Sequence, residues 1–163
     1  MSRDTLTHLD GDGNAHMVDV GGKVPMRRRA TAEAQLRMSK RAAELLTSGG
    51  VPKGDAGAVA RIAGIMAAKR TPDLLPLCHP LPIDRVSVEI ALEGQVATLT
   101  ATVETSARTG VEMEALTAAS VAALALWDML KSVDADLEVS SVRLVEKVKD
   151  PIANRLPDPS EDA

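Results

Sequence analysis

The segment "ALTAASVAALALWDML", residues 115–130, puts apolar side chains on nearly every face of a predicted helix. A helix of this composition is normally buried on all sides. A two-layer domain leaves one face of its helices open, so we expect a neighbouring subunit to cover the remainder of this helix. The alternative is a helix enclosed entirely within its own chain. Thr117, Ser120 and Asp128 interrupt the segment, which therefore falls short of a membrane span.

The amino-acid composition limits how a core around this helix can be built. The 163 residues include one Trp and no Phe or Tyr, so Ala, Val, Leu, Ile and Met must fill the core. Base stacking on aromatic side chains is almost excluded, and the formal charge of −4 offers no general attraction to nucleic acid or membrane. The length is typical of a single domain. One cysteine and a polar N-terminal sequence predict a cytoplasmic protein.

The hydrophobic pattern predicts an α+β protein. In chain order we expect a strand at 15–20, helices at about 31–47 and 55–70, a hairpin formed by "RVSVEIAL" and "VATLTATVET", a helix at about 110–132 and a strand in "LEVSSVRLVEKV". Strands on one side and helices on the other predict a ferredoxin-like sandwich, an antiparallel sheet with helices packed on one face. The catalytic domain is expected to span 15–148, with flexible segments at 1–14 and 149–163.

The stretch "LPLCHPLP", residues 75–82, lies in a proline-rich segment at about 71–83 that is not expected to form regular helix or central strand. Cys78 and His79 are adjacent in it, and adjacent side chains of an extended segment point in opposite directions, which argues against a shared zinc ion or a nucleophile pair. No spacing supports adding His8 or His16. We therefore predict no metal and no cofactor, and a zinc hydrolase is the weakest alternative. Cys78 is expected to be a small packing residue, and His79 a ligand-binding imidazole held by a rigid loop.

Basic residues occur at loops and helix ends, where proteins commonly hold phosphate oxygens. They are Lys23, Arg27, Arg28, Arg29, Lys53, Lys69, Arg70, Lys131, Arg143 and Lys147. Taken singly, each of them is most simply a solvated surface charge. An acidic protein that gathers cations in this way is nevertheless expected to bind a phosphorylated small molecule.

The sequence "WDMLK" places Asp128 and Lys131 three residues apart, on one face of the apolar helix. Asp128 falls in a stretch predicted to be buried, where a carboxylate needs a partner or a function. A lysine close to other cations has a lowered pKa and can transfer protons near neutral pH. We therefore predict that Lys53, Asp128 and Lys131 form an acid/base set around a phosphate site. Glu112 and Glu114 suit the dipole of the first helical turn and need no functional explanation on these grounds.

Several segments together closely resemble one family. They are "AHMVDV", "KGD", "RIAGIMAAKRTPDLLPLCHPLPI", "TGVEMEALTAASVAAL" and "WDMLK". Over about residues 5–147 the chain resembles the molybdenum cofactor biosynthesis protein C family, the cyclic pyranopterin monophosphate synthases. The resemblance implies a lyase that converts 3′,8-cyclo-7,8-dihydroguanosine 5′-triphosphate, the product of a partner radical GTP cyclase, into cyclic pyranopterin monophosphate and diphosphate. It also implies a ferredoxin-like fold and a hexamer, a trimer of dimers, with sites between subunits.

The same resemblance assigns roles to individual residues. It implies that Asp128 is catalytic and that Lys53 and Lys131 are the acid/base lysines. The substrate-binding residues that it implies are Leu77, Cys78, His79, Glu112, Met113 and Glu114, with Lys23, Arg28 and Lys147 around the phosphates.

The chain departs from the family pattern at its C-terminal end. Many members continue after the last strand with a Gly-Gly-Lys-Ser-Gly loop, where this chain reads "EKVKDPIANRLPDPS". Whether Lys149 takes the place of the loop lysine is left open. The alternative from another class is a non-catalytic nucleotide-binding homologue. Against it, the chain retains Lys53, His79, Glu112, Asp128 and Lys131.

Overall fold

The computed structural model of the protein describes residues 12–152. The elements in chain order are β1 Met26–Arg37, α1 Lys40–Ser48, α2 Ala56–Lys69, the single-turn α3 Thr71–Leu74, β2 Arg85–Glu93, β3 Val96–Ala107, α4 Glu112–Leu130 and β4 Glu138–Asp150. The strands form one antiparallel sheet in the order β2-β3-β1-β4. The predicted α+β class with an antiparallel sheet is confirmed, and the succession of elements is consistent with a ferredoxin-like arrangement. Most of the predicted flexible segments, 1–11 and 153–163, lie outside the described residues.

Two predicted elements at the N-terminal end are wrong. The segment 15–20 is irregular apart from an isolated bridge at Ala15, and the first half of the predicted helix 31–47 belongs to β1. The buried side chains of β1 alternate with exposed or half-buried ones: they are Ala30, Ala32, Ala34 and Leu36. Alanine favours helix in isolation, but pairing along the whole length of β3 overrides that preference.

The first and second helices begin at side-chain caps. Ser39 precedes α1 and its hydroxyl accepts a hydrogen bond from the amide of Ala42. Asp55 precedes α2, and its Oδ1 accepts from the amide of Ala58 at 2.9 Å, as expected for a helix that starts there.

The single turn α3 was not expected, because the segment 71–83 was predicted to be irregular. Proline at the start of a helix is tolerated, which explains how Pro72 enters this turn.

α2 and α4 pack on one face of the sheet, α4 against the buried positions of β1 and β3 and α2 against β2. The fully buried core is built largely from alanine, with Trp127 only partly buried against it, so its elements approach closely. Gly64 of α2 lies at the tightest approach, where a Cβ would stand 2.9 Å from the carbonyl oxygen of Ala118 in α4. The outer face of the sheet is polar; on it, the hydroxyls of Thr31 and Thr102 lie 3.0 Å apart.

The fold covers only part of α4. Contrary to the expectation from its polar residues, this helix is long and apolar enough to span a membrane, but half of it is buried inside the fold, as in the core helix of a globular domain. Ala118, Ala119 and Ala122 are fully buried, whereas Leu124 is 57% exposed. The chain alone therefore does not enclose the helix, in agreement with the interpretation of its all-apolar surface.

Candidate active site

A cavity of about 450 Å³ lies between the proline-rich loop that follows α3 and the N-terminal end of α4. It is called the first cavity below. Seven of the predicted substrate-binding residues line it: Lys23, Leu77, Cys78, His79, Glu112, Met113 and Glu114. The loop is fastened to β3, because the Thr105 hydroxyl donates to the carbonyl of Pro82 at 2.5 Å and the Asp84 amide donates to the carbonyl of Glu104 at 2.9 Å. This attachment places Cys78 and His79 opposite the first turn of α4.

The carboxyl groups in the first turn of α4 have different environments. Glu114 is buried, and its burial raises the pKa of its carboxyl group above the ordinary value, with the neighbouring charge of Glu112 adding to the effect. Burial, and then the charge of Glu114, also raises the pKa of the Cys78 thiol. Cys78 is thus held as a thiol and is poorly suited to be a nucleophile. Within residues 12–152 no group of His, Cys, Asp or Glu side chains has the arrangement of a metal site.

A second cavity of about 180 Å³ adjoins the first, and the two share Gly110 and Glu112 in their linings. Its basic residues are Arg28, Arg29, Lys147 and Lys149. Two of them, Arg28 and Lys147, were predicted to lie around phosphates. The second cavity therefore offers a cationic compartment beside a larger one.

Two predicted phosphate residues already have protein partners there. Arg28 donates from Nε to the carbonyl of Ala107 at 3.2 Å and from its NH2 group to the carbonyl of Arg108 at 3.1 Å. Its guanidinium group thus fixes the connection between β3 and α4. Lys147 Nζ lies 3.3 Å from Glu112 Oε1.

The predicted acid/base set forms a cluster at the other end of α4. Asp128 Oδ2 lies 3.0 Å from Lys53 Nζ, and Asp128 Oδ1 lies 2.7 Å from Lys131 Nζ. Lys53 also donates to the backbone carbonyl of Asp128 at 2.6 Å. Hydrogen bonds from Lys131 and Lys53, together with their charges, lower the pKa of the Asp128 carboxyl group. This cluster is a carboxylate held ionised between two ammonium groups.

One expectation for this cluster is wrong. Asp128 was predicted to be buried, but its side chain is 57% exposed in the isolated chain. The reason is its position on the helix: it follows Leu124 by one turn, on the side of α4 that the fold leaves uncovered. An apolar sequence around a residue does not bury it when the chain covers only part of the helix.

The cluster and the cavities are far apart within one chain. Glu112 and Asp128 are separated by 16 positions of one helix, which corresponds to about 24 Å along its axis. The acid/base set therefore does not adjoin either cavity of its own chain.

The comparison with known proteins then decides the family. Residues 17–150 match the model described as the MoaC family. The chain belongs to the MoaC family. It is 54% identical over 144 residues to a cyclic pyranopterin monophosphate synthase of Nostoc. The aligned residues cover 87% of this chain and 86% of that relative. A Streptomyces avermitilis protein of the same name is 54% identical over 146 residues, covering 90% of this chain and 86% of its own. A Jannaschia protein of that name is 51% identical over 144 residues, with coverages of 87% and 88%.

The family predicted from the sequence is thereby confirmed. The roles of individual residues stay predictions. Sequence reasoning missed Gly110, which lines both cavities. A Cβ at Gly110 would overlap the carboxylate of Glu112, so glycine lets this carboxylate fold back over the loop between the two cavities. The glycine immediately before the helix in "TGVEME" was a signal that could have drawn attention to it.

The buried carboxyl group of this MoaC family chain gives a test by pH. Because the pKa of Glu114 is raised on folding, its contribution to stability is fully present below its unfolded pKa, near 4.5, and is lost as the pH rises through its folded pKa. The substitution Glu114→Gln is therefore expected to change the free energy of unfolding more favourably at pH 7.5 than at pH 4. Urea denaturation at both pH values measures this. The control is Glu93→Gln, at an exposed position, which is expected to have the same effect at both pH values. An equal effect of Glu114→Gln at the two pH values would contradict the raised pKa of Glu114.

Proposed function

We propose that this chain is a cyclic pyranopterin monophosphate synthase of molybdenum cofactor biosynthesis. The observation that carries the proposal is identity above 50% to proteins of that name over most of both chains. The reaction proposed is the conversion of 3′,8-cyclo-7,8-dihydroguanosine 5′-triphosphate into cyclic pyranopterin monophosphate, with release of diphosphate. The chain would act in the cytoplasm on the product of a radical GTP cyclase, without a cofactor of its own.

The two cavities suit two parts of such a substrate. The first cavity has the volume of a small-molecule site and combines apolar side chains such as Leu77 and Met113 with the polar groups of His79 and Glu114. It is proposed to hold the ring system derived from guanine. The second cavity is smaller and basic, and it is proposed to hold phosphate groups.

The Asp128 cluster supplies groups that the chemistry requires. Opening and reclosing the purine-derived ring moves protons between several atoms, which needs acids and bases at fixed positions. Closing the cyclic phosphate forms a bond from a sugar oxygen to the α-phosphorus and breaks the bond from that phosphorus to the bridging oxygen, which leaves with diphosphate. Lys53 and Lys131 can donate protons and neutralise the charge that develops on the leaving group. Asp128 would keep both ammonium groups in place.

A second copy of the chain is proposed to complete each site. The distance along α4 prevents one chain from bringing its cluster and its cavities to one small molecule, whereas a neighbouring subunit can supply the missing half. Apolar side chains exposed on α2 and α4 provide a surface for this neighbour: Val59, Ile62, Met66 and Leu124. The assembly proposed is a hexamer, a trimer of dimers, whose closed symmetry lets every copy make these contacts.

Phosphorus NMR of the purified protein mixed with the cyclised dihydro-GTP tests the proposed reaction. We expect the triphosphate resonances to disappear while those of diphosphate and a cyclic phosphate grow together. Binding that perturbs the triphosphate resonances without turnover would contradict the proposal and favour the non-catalytic homologue.

A further inference from the structure

The second cavity contains one basic side chain whose charge is not engaged by the protein. Three of its four cations have partners: Arg28 donates to the carbonyls of Ala107 and Arg108, Arg29 pairs with Glu146 at 3.2 Å, and Lys147 pairs with Glu112. In the part of the chain that the structure describes, the ammonium group of Lys149 makes no ion pair or hydrogen bond. Lys149 is thus the cation of this cavity that is available to an incoming anion.

The position of Lys149 follows from the pairing of β4 with β1. Lys149 is opposite Arg28, and Lys147 is opposite Ala30, whose side chain is buried under the helices. Residues two apart on a strand share a face, so Lys147 and Lys149 lie on the face of the sheet that carries α4. β4 is an edge strand, which leaves the side chain of Lys149 room to reach into the cavity.

The beginning of α4 favours an anion in the same place. Gly110 and Val111, which precede the helix, line the cavity, and Val111 provides no side-chain cap for the amides of the first turn. The positive end of the helix dipole adds to the attraction of the cationic side chains. Glu112 also lines this cavity, but its carboxylate forms an ion pair with Lys147.

We propose that Lys149 binds a phosphate group of the substrate's triphosphate chain in the second cavity, and that Arg28 is a positioning residue that holds the loop before α4. The identity of the anion rests on the proposed function. The existence of a polyphosphate site at Lys149 rests on the cavity alone. No role was assigned to Lys149 from its sequence position, because the chain departs there from the family pattern.

Titration calorimetry of the full chain with inorganic triphosphate tests the site without any need for turnover. Loss of one charge-assisted hydrogen bond is expected to weaken binding by about 10- to 100-fold in Lys149→Ala. Lys149→Arg, which keeps the charge, is expected to restore most of the affinity. Lys40→Ala removes a lysine of α1 that lies outside both cavities, and it is expected to bind like the unaltered protein. Binding by Lys149→Ala within twofold of the unaltered protein, or no binding by the unaltered protein, would overturn the proposal.

Turnover measurements separate this inference from the proposed function. For Lys149→Ala we expect a raised KM for the cyclised dihydro-GTP with little change in kcat, since the residue is assigned to binding. Unchanged KM in an active enzyme would reject Lys149 and leave the function standing. An inactive chain whose triphosphate binding still depends on Lys149 would reject the function and leave the polyphosphate site standing.

Discussion

Lys131→Ala is expected to lower kcat for cyclic pyranopterin monophosphate formation by about 100- to 10,000-fold, the range typical of a lost general acid or base. Lys131 Nζ lies 2.7 Å from Asp128 Oδ1, and both side chains are more than half exposed. Exposed ion pairs contribute little to folding, so the variant should keep its thermal midpoint. Product formation followed by phosphorus NMR, together with circular dichroism during heating, measures both quantities.

A second substitution separates proton transfer from simple charge at this position. Lys131→Arg keeps a cation beside Asp128, but a guanidinium group does not release its proton in proteins. We expect this variant to be nearly as inactive as Lys131→Ala. Recovery of normal kcat by arginine would show that charge alone is needed, and normal turnover by Lys131→Ala would remove the residue from the mechanism.

Gly64→Ala is expected to lower the free energy of unfolding by about 1–2 kcal/mol. The added Cβ would lie 2.9 Å from the carbonyl oxygen of Ala118 and 3.1 Å from the Cβ of Ala122, so α2 and α4 must move apart. Overpacking of this kind costs about 1–3 kcal/mol, and the higher helix propensity of alanine recovers up to about 1 kcal/mol of it. Urea denaturation monitored by the single Trp measures the difference.

The same helix offers a matched control. A Cβ at Gly57 would have its nearest neighbour 3.5 Å away, at Asp55 Oδ1, which is an ordinary contact. Gly57→Ala is therefore expected to leave stability unchanged or to raise it by up to about 1 kcal/mol. If Gly64→Ala also raised stability, helix propensity and not interhelical packing would govern Gly64.

Local sequence patterns predicted the elements whose periodicity is unambiguous. The hairpin formed by β2 and β3 alternates clearly, and α2 begins at a strong cap, Asp55. In β1, by contrast, alanines at every second position are compatible with both a strand and a helix. Only the pairing with β3, distant in sequence, decides between them.

The residues of the candidate site were easier to predict than their arrangement. Leu77, Cys78 and His79 do line a cavity with the start of α4. Nothing in the sequence of this loop indicated that Asp128, near the other end of α4, lies at another part of the surface. Separation along a helix is calculable from sequence, but which molecule supplies the missing half of a site depends on contacts between chains that no local pattern encodes.

Mixed oligomers provide the most direct test of a catalytic site shared between two copies of the chain. His79→Ala removes a side chain of the first cavity, and Lys131→Ala removes one of the acid/base cluster, so each variant alone is expected to be nearly inactive. The two variants are co-expressed with different affinity tags, purified over both tags in sequence, and assayed with the cyclised dihydro-GTP. The mixed assembly is expected to regain activity well above either parent, because some sites combine an intact cavity with an intact cluster. A mixed assembly no more active than its parents would show that the cavity and the cluster do not combine across two chains.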